Sequence, residues 1–184
     1  MMRGAYFLCS LFLKIMVMKN LAFLLSLLIS GLLFSQGNSV VVNGKTNVNT
    51  FKCTHDKFNQ ASNNYSFKKD QLPYLQLEVN HFDCKNRIMT QDLRKTLKAD
   101  HFPTMYVRFL SFQKVSEKQY TATIEVKLTG KIRNYTTSFY PVNNTLVGRE
   151  YVRFSDFGLK APTKMGGMIV VEDQLNLILT LNHL

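Results

Sequence analysis

The sequence lacks the motifs that announce catalysis. It has no glycine-rich phosphate loop and no serine nucleophile elbow. Its four histidines, His55, His81, His101 and His183, have no i, i+4 spacing with an acid, so they indicate no metal site. His55 lies two residues after Cys53, but a surface or turn histidine is the simpler reading. Asp156, between Ser155 and Phe157, has no nucleophile or second acid that the sequence sets beside it, and reads as a turn or strand-end aspartate. These absences point to a non-enzymatic protein without a cofactor. Acid is also scarce: 12 Asp and Glu stand against 23 Lys and Arg, a formal charge of +11. The basic residues are scattered rather than gathered in one run, as on a solvated basic surface. Cysteine is rarer still, with three in 184 residues.

One long apolar run is present. Residues 18–36, MKNLAFLLSLLISGLLFSQ, have the form of a signal peptide: Lys19 as a basic start, an apolar stretch at 21–34, and Ser35-Gln36 as an exit. No cysteine follows directly, so no lipoprotein anchor is indicated. The preceding apolar and basic residues 1–17 suggest that translation starts at Met18. The expected organisation is a signal peptide at 1–35 and one domain at 36–184, periplasmic or secreted. Arg3, Lys14 and Lys19 fall in the leader and no acid does, leaving the domain at +8. Export argues against nucleic acid as a partner; contact with a membrane surface stays compatible with the charge. Cys53 and Cys84 can pair in an oxidising compartment, and can equally be two buried thiols.

Most of the domain alternates at the period of a strand. Residues 120–128 set Tyr120, Ala122, Ile124, Val126 and Leu128 on one face, and the last strand does the same with Leu175, Leu177, Leu179 and Leu181. Asn43-Gly44 is a hairpin signal, and Thr129-Gly130 another turn. Residues 54–71 are polar, a loop or two weak edge strands around Tyr65 and Phe67. The exception is the stretch 82–112. It predicts a short amphipathic helix with Thr90 as N-cap, Asp92 in the first turn, Leu93 and Leu97 on one face, and Arg94, Lys95 and Lys98 toward water. Pro103 ends it, and a strand follows at 105–112. Repeated short strands with turn signals predict a mainly β, antiparallel barrel or sandwich, with one short helix covering an end.

Five segments in order give the chain a family resemblance. Val42-Asn43-Gly44-Lys45-Thr46-Asn47-Val48-Asn49-Thr50-Phe51, Phe82-Asp83-Cys84-Lys85-Asn86 with the following Arg94 to Pro103 stretch, Leu128-Thr129-Gly130-Lys131, Phe154-Ser155-Asp156-Phe157-Gly158-Leu159 and the alternating last strand resemble the YceI-like family of secreted polyisoprenoid-binding proteins. The chain departs from that family at 129–134 and in the loop 161–167. The resemblance implies a lipocalin-like β-barrel whose lumen holds an isoprenoid or fatty chain. The lumen residues it suggests are Leu77, Val79, Val107, Phe109, Ile124, Val126, Leu177 and Leu179. Leu93 and Leu97 then become candidates for a gate at the barrel mouth, and the basic rim is available to an anionic headgroup. The alternative is the same barrel with a filled core, serving as a structural or protein-interaction module.

Overall fold

The computed structural model describes residues 37–58 and 65–182. Residues 1–35 and His183 lie outside them. Eight strands form one antiparallel sheet: β1 (Ser39–Lys45), β2 (Thr50–His55), β3 (Tyr74–Glu78), β4 (Thr104–Ser116), β5 (Gln119–Leu128), β6 (Lys131–Val142), β7 (Thr145–Arg153) and β10 (Gln174–Asn182). Their order is β2-β1-β10-β7-β6-β5-β4-β3. β8 (Thr163–Lys164) and β9 (Ile169–Val170) pair as a small hairpin, and α1 (Arg87–Thr96) lies between β3 and β4.

The sheet curls because one face of every long strand is apolar and only curling buries all of it. Val40 and Val42, Leu75 and Leu77, Met105, Val107 and Phe109, Ala122 to Leu128 in alternation, and Leu175, Leu179 and Leu181 form the interior. A bulge between Phe109 and Ser111 bends β4 and turns Leu110 out to solvent. The ladder does not close the barrel. β2 and β3 are its two edges, and the seam between them is joined by reciprocal backbone bonds between Thr54 and Asp83 (2.8 and 2.9 Å) and by the Cys53–Cys84 disulfide.

Four local expectations are corrected. Asn43-Gly44 is not a turn: both residues lie within β1, where Gly44 pairs with Phe51. A Cβ on Gly44 would come within 2.1 Å of the Phe51 ring, so the glycine is there to let that ring lie flat on the strand. The turn falls later, where Thr46 N–H donates to Asn49 O (2.7 Å) and Thr46 Oγ1 accepts from the N–H groups of Val48 and Asn49. The helix starts at Arg87, three residues before Thr90. Asn86 is its N-cap, accepting from Met89 N–H at 3.0 Å. Thr90 sits inside the helix; its hydroxyl donates back to Asn86 O (2.8 Å) and accepts from Cys84 N–H (3.0 Å). Asp92 is therefore beyond the first turn, and it pairs with Lys164 of β8. Arg94 does not face water but donates to the carbonyls of Asn80 and Phe82, fastening α1 to the 3-10 turn Val79–His81. Replacing Asn86 by Ala is expected to cost about 1 kcal/mol in chemical denaturation, whereas Thr90→Ser, which keeps the hydroxyl, should cost much less.

Candidate functional site: the lumen, its mouth and its seams

The interior holds cavities in series. One of about 40 Å³ lies under α1, walled by Leu93, Leu97, Phe82, Leu128, Phe157 and Leu159 among others. A second of about 30 Å³ lies deeper, lined by Val107, Ile124, Val126, Leu177 and Leu179 together with Tyr135, Thr137 and Glu150. Met105, Val126, Val152 and Leu177 form the partition between the two. Outside α1, a cavity of about 270 Å³ opens between the helix, the β8–β9 hairpin and the β1–β2 turn. Leu93 and Phe154 wall it off from the one beneath the helix. The Asp92–Lys164 ion pair (2.6 Å) crosses this mouth.

The sequence-derived lumen residues divide into two groups. Val107, Ile124, Val126, Leu177 and Leu179 line the deep cavity. Leu77, Val79 and Phe109 are buried but line neither interior cavity; Phe109 packs instead among the rings of Phe67, Phe112 and Phe139. Leu93 and Leu97 point from α1 into the cavity beneath it.

The β2–β3 seam carries a histidine that sequence reasoning placed at the surface. His55 is fully buried, with Phe82 and Phe58 edge-on at 5.0 and 5.6 Å and the His81 ring at 5.8 Å. Its position on the inward face of β2 follows from the alternation with Cys53, which the polar flanking sequence obscures. Neither ring nitrogen makes a hydrogen bond of full geometry among the described residues. Burial, and secondly the neighbouring His81, hold its pKa below the ordinary value; Asp56 and the Glu78 backbone act weakly the other way. An unfolded chain thus binds this proton more readily than the folded one. Stability is full above the unfolded pKa of about 6.5 and falls as the pH drops below it. Urea midpoints at neutral and mildly acidic pH should show this loss, and His55→Phe should flatten the profile.

The wall itself has a break in its ladder. β6 and β7 pair only from Phe139↔Gly148 to Val142↔Thr145. Beyond that point residues 131–138 pair with β5 alone and residues 149–153 with β10 alone. Side chains bridge the split. Thr137 Oγ1 donates to Glu150 Oε2 at 2.7 Å, and Tyr135 OH donates to Asp156 Oδ2 at 3.3 Å. The N–H groups of Tyr151 and Arg153 donate to Glu150 Oε1 (3.0 Å) and Asp156 Oδ2 (3.1 Å), carboxylates standing where β6 carbonyls would otherwise be. Burial, then the Asp156 charge, push the Tyr135 phenol up to about 12. Asp156 thus holds the turn Ser155–Phe157 against β6 and β7. Glu150 was not anticipated, although it shares the inward parity of Leu146, Gly148 and Val152. Among the described residues no group of three or more His, Cys, Asp or Glu could hold a metal ion, and no helix is long and apolar enough to cross a membrane.

No family model and no curated protein matches the chain. Solved structures do. BcnA from Burkholderia cenocepacia superposes with a TM-score of 0.62 at 16% identity, over 78% of this chain and 94% of that one. A YceI protein from Campylobacter jejuni gives 0.54 at 14%, over 68% and 81%. A polyisoprenoid-binding domain from Saccharophagus degradans, implicated in plant cell wall breakdown, gives 0.56 at 9%, over 78% and 91%. At these identities the likeness speaks to architecture: the chain has the YceI-like fold, an antiparallel curled sheet with one covering helix.

Proposed function

We propose that this chain is an exported, non-catalytic lipid-binding protein that holds an isoprenoid or fatty chain in the barrel lumen. The observation that carries the proposal is the run of three cavities from the mouth beside α1 into the barrel, separated only by apolar side chains. A chain threading them displaces Leu93 and Phe154 first, then Met105 and Leu177; unbranched Met105 adapts at low cost. Each methylene taken out of water contributes about 0.8 kcal/mol. The polyisoprenoid-binding neighbour supports the same ligand class. The leader at 1–35 supports a periplasmic or secreted location, where the disulfide persists.

Native mass spectrometry is the test. Protein purified without detergent is expected to carry a lipid, and delipidated protein to take up a prenyl alcohol or fatty acid. Protein that stays unliganded across such a probe set overturns the reading. The small interior cavities then favour the other one, a structural or interaction module with a filled core. Leu93→Ala is expected to speed both uptake and release of the probe while costing about 2–5 kcal/mol of stability. A stability loss with unchanged exchange rates would reduce α1 to a packing element.

A further inference from the structure

The deep cavity has an almost wholly apolar surface, and the polar residues that border it stand together at one place. Glu150 lines it from β7, flanked by Thr137 and Tyr135 from β6, where the wall splits. The neighbouring inward positions on β7 are Leu146, Gly148 and Val152, and those facing it across β10 are Leu175, Leu177 and Leu179. A glutamate at this inward position is costly beside Leu177 unless it is hydrogen-bonded, and the Thr137 and Tyr151 donors supply only part of what it can accept. Its carboxylate has about four acceptor sites. Thr137 Oγ1 and Tyr151 N–H fill two of them, so acceptor capacity remains. Among the described residues no cationic side chain lines this cavity.

Resting on the lumen reading above, we infer that Glu150 is the specificity residue for the polar end of the bound amphiphile, and that it selects a head that donates a hydrogen bond, an alcohol or an amine. The apolar chain runs from Glu150 past Val152 and Leu177 toward α1. Thr137 orients the carboxylate beside the β6–β7 split. A carboxylate or phosphate head would meet Glu150 as a like charge and is rejected at this end. The scattered basic residues of the surface play no part in this choice.

The test uses four probes with one prenyl chain and different heads: amine, alcohol, methyl ether and carboxylic acid. Affinities are measured on the full chain with its disulfide intact. The native protein is expected to bind the amine and the alcohol about tenfold or more tightly than the ether, and the acid most weakly. Glu150→Gln keeps shape and the Thr137 contact. It is expected to lose the preference for the amine and to relieve the rejection of the acid, with the ether unchanged. A thermal melt confirms that the variant is folded, and Thr137→Val, expected to blunt the preference without reversing it, gives a second variant. Equal affinity for all four heads, or the same order of heads in native and Glu150→Gln protein, overturns this inference and leaves lipid binding standing. Binding of none of the four overturns both.

Discussion

Reducing the Cys53–Cys84 bridge is expected to lower stability by about 3–4 kcal/mol, seen as a matching drop in the denaturation midpoint with reductant. The magnitude follows from the loop that the bridge closes: the two residues are 31 apart in sequence, and the entropy removed from the unfolded chain by such a loop falls in that range. The native state has its own stake. Cys53 is on an edge strand, Cys84 follows the other edge, and besides the sulfurs the described residues contribute one isolated backbone bridge across this seam. The loop encloses residues 54–83, including Tyr65, which donates to Asn182 O, and Phe67, which packs on Phe109 and Phe112. Cys53→Ala with Cys84→Ala should give the same loss as reductant. A loss below 1 kcal/mol would mean that the bridge only decorates a seam already held by packing.

The second large effect is at the bottom of the lumen. Phe139→Ala is expected to cost about 3–5 kcal/mol, because the ring is fully buried and touches Phe109 and Phe112. Gly148 faces it across the β6–β7 ladder, and a Cβ there would stand 2.5 Å from the ring. Gly148→Ala alone should therefore cost about 1–3 kcal/mol by overpacking. The two changes touch the same space, so the double variant should be more stable than the sum of the single losses predicts. Strict additivity in equilibrium unfolding would show that the ring and the glycine do not share that space. If the lumen takes a lipid chain, Phe139→Ala also lengthens the room for it, and longer probes should gain affinity relative to short ones.

The long alternating strands were legible in the sequence because burial on one face leaves a period of two; residues 120–128 and the last strand fall where that pattern puts them. The order of the five motifs carried the architecture further than periodicity could. What failed was local chemistry that depends on a partner. Asn43-Gly44 has the composition of a turn, but the ring that requires the glycine is Phe51, on the next strand. Thr90 has the composition of a cap, but a mid-helix hydroxyl can bond its own backbone four residues back, and Asn86 took the capping position. Arg94 looked solvated because its carbonyl partners are on another element. His55 and Glu150 were missed for one shared reason: a polar residue on the inward face breaks the apolar pattern by which an inward face is recognised. Strand parity, taken without regard to side-chain type, would have placed both.

The split between β6 and β7 has a consequence for how the wall moves. Ladder hydrogen bonds open together, since each is flanked by others on the same pair of strands. The N–H groups of Tyr151 and Arg153 are held only by side-chain carboxylates on the β6 side, so they can be released by rotation of two side chains without unzipping a strand. In amide hydrogen exchange these two positions should lose protection well before Val126 or Leu179, which lie in continuous ladders. The barrel would thus breathe at this slit on a timescale independent of its global unfolding.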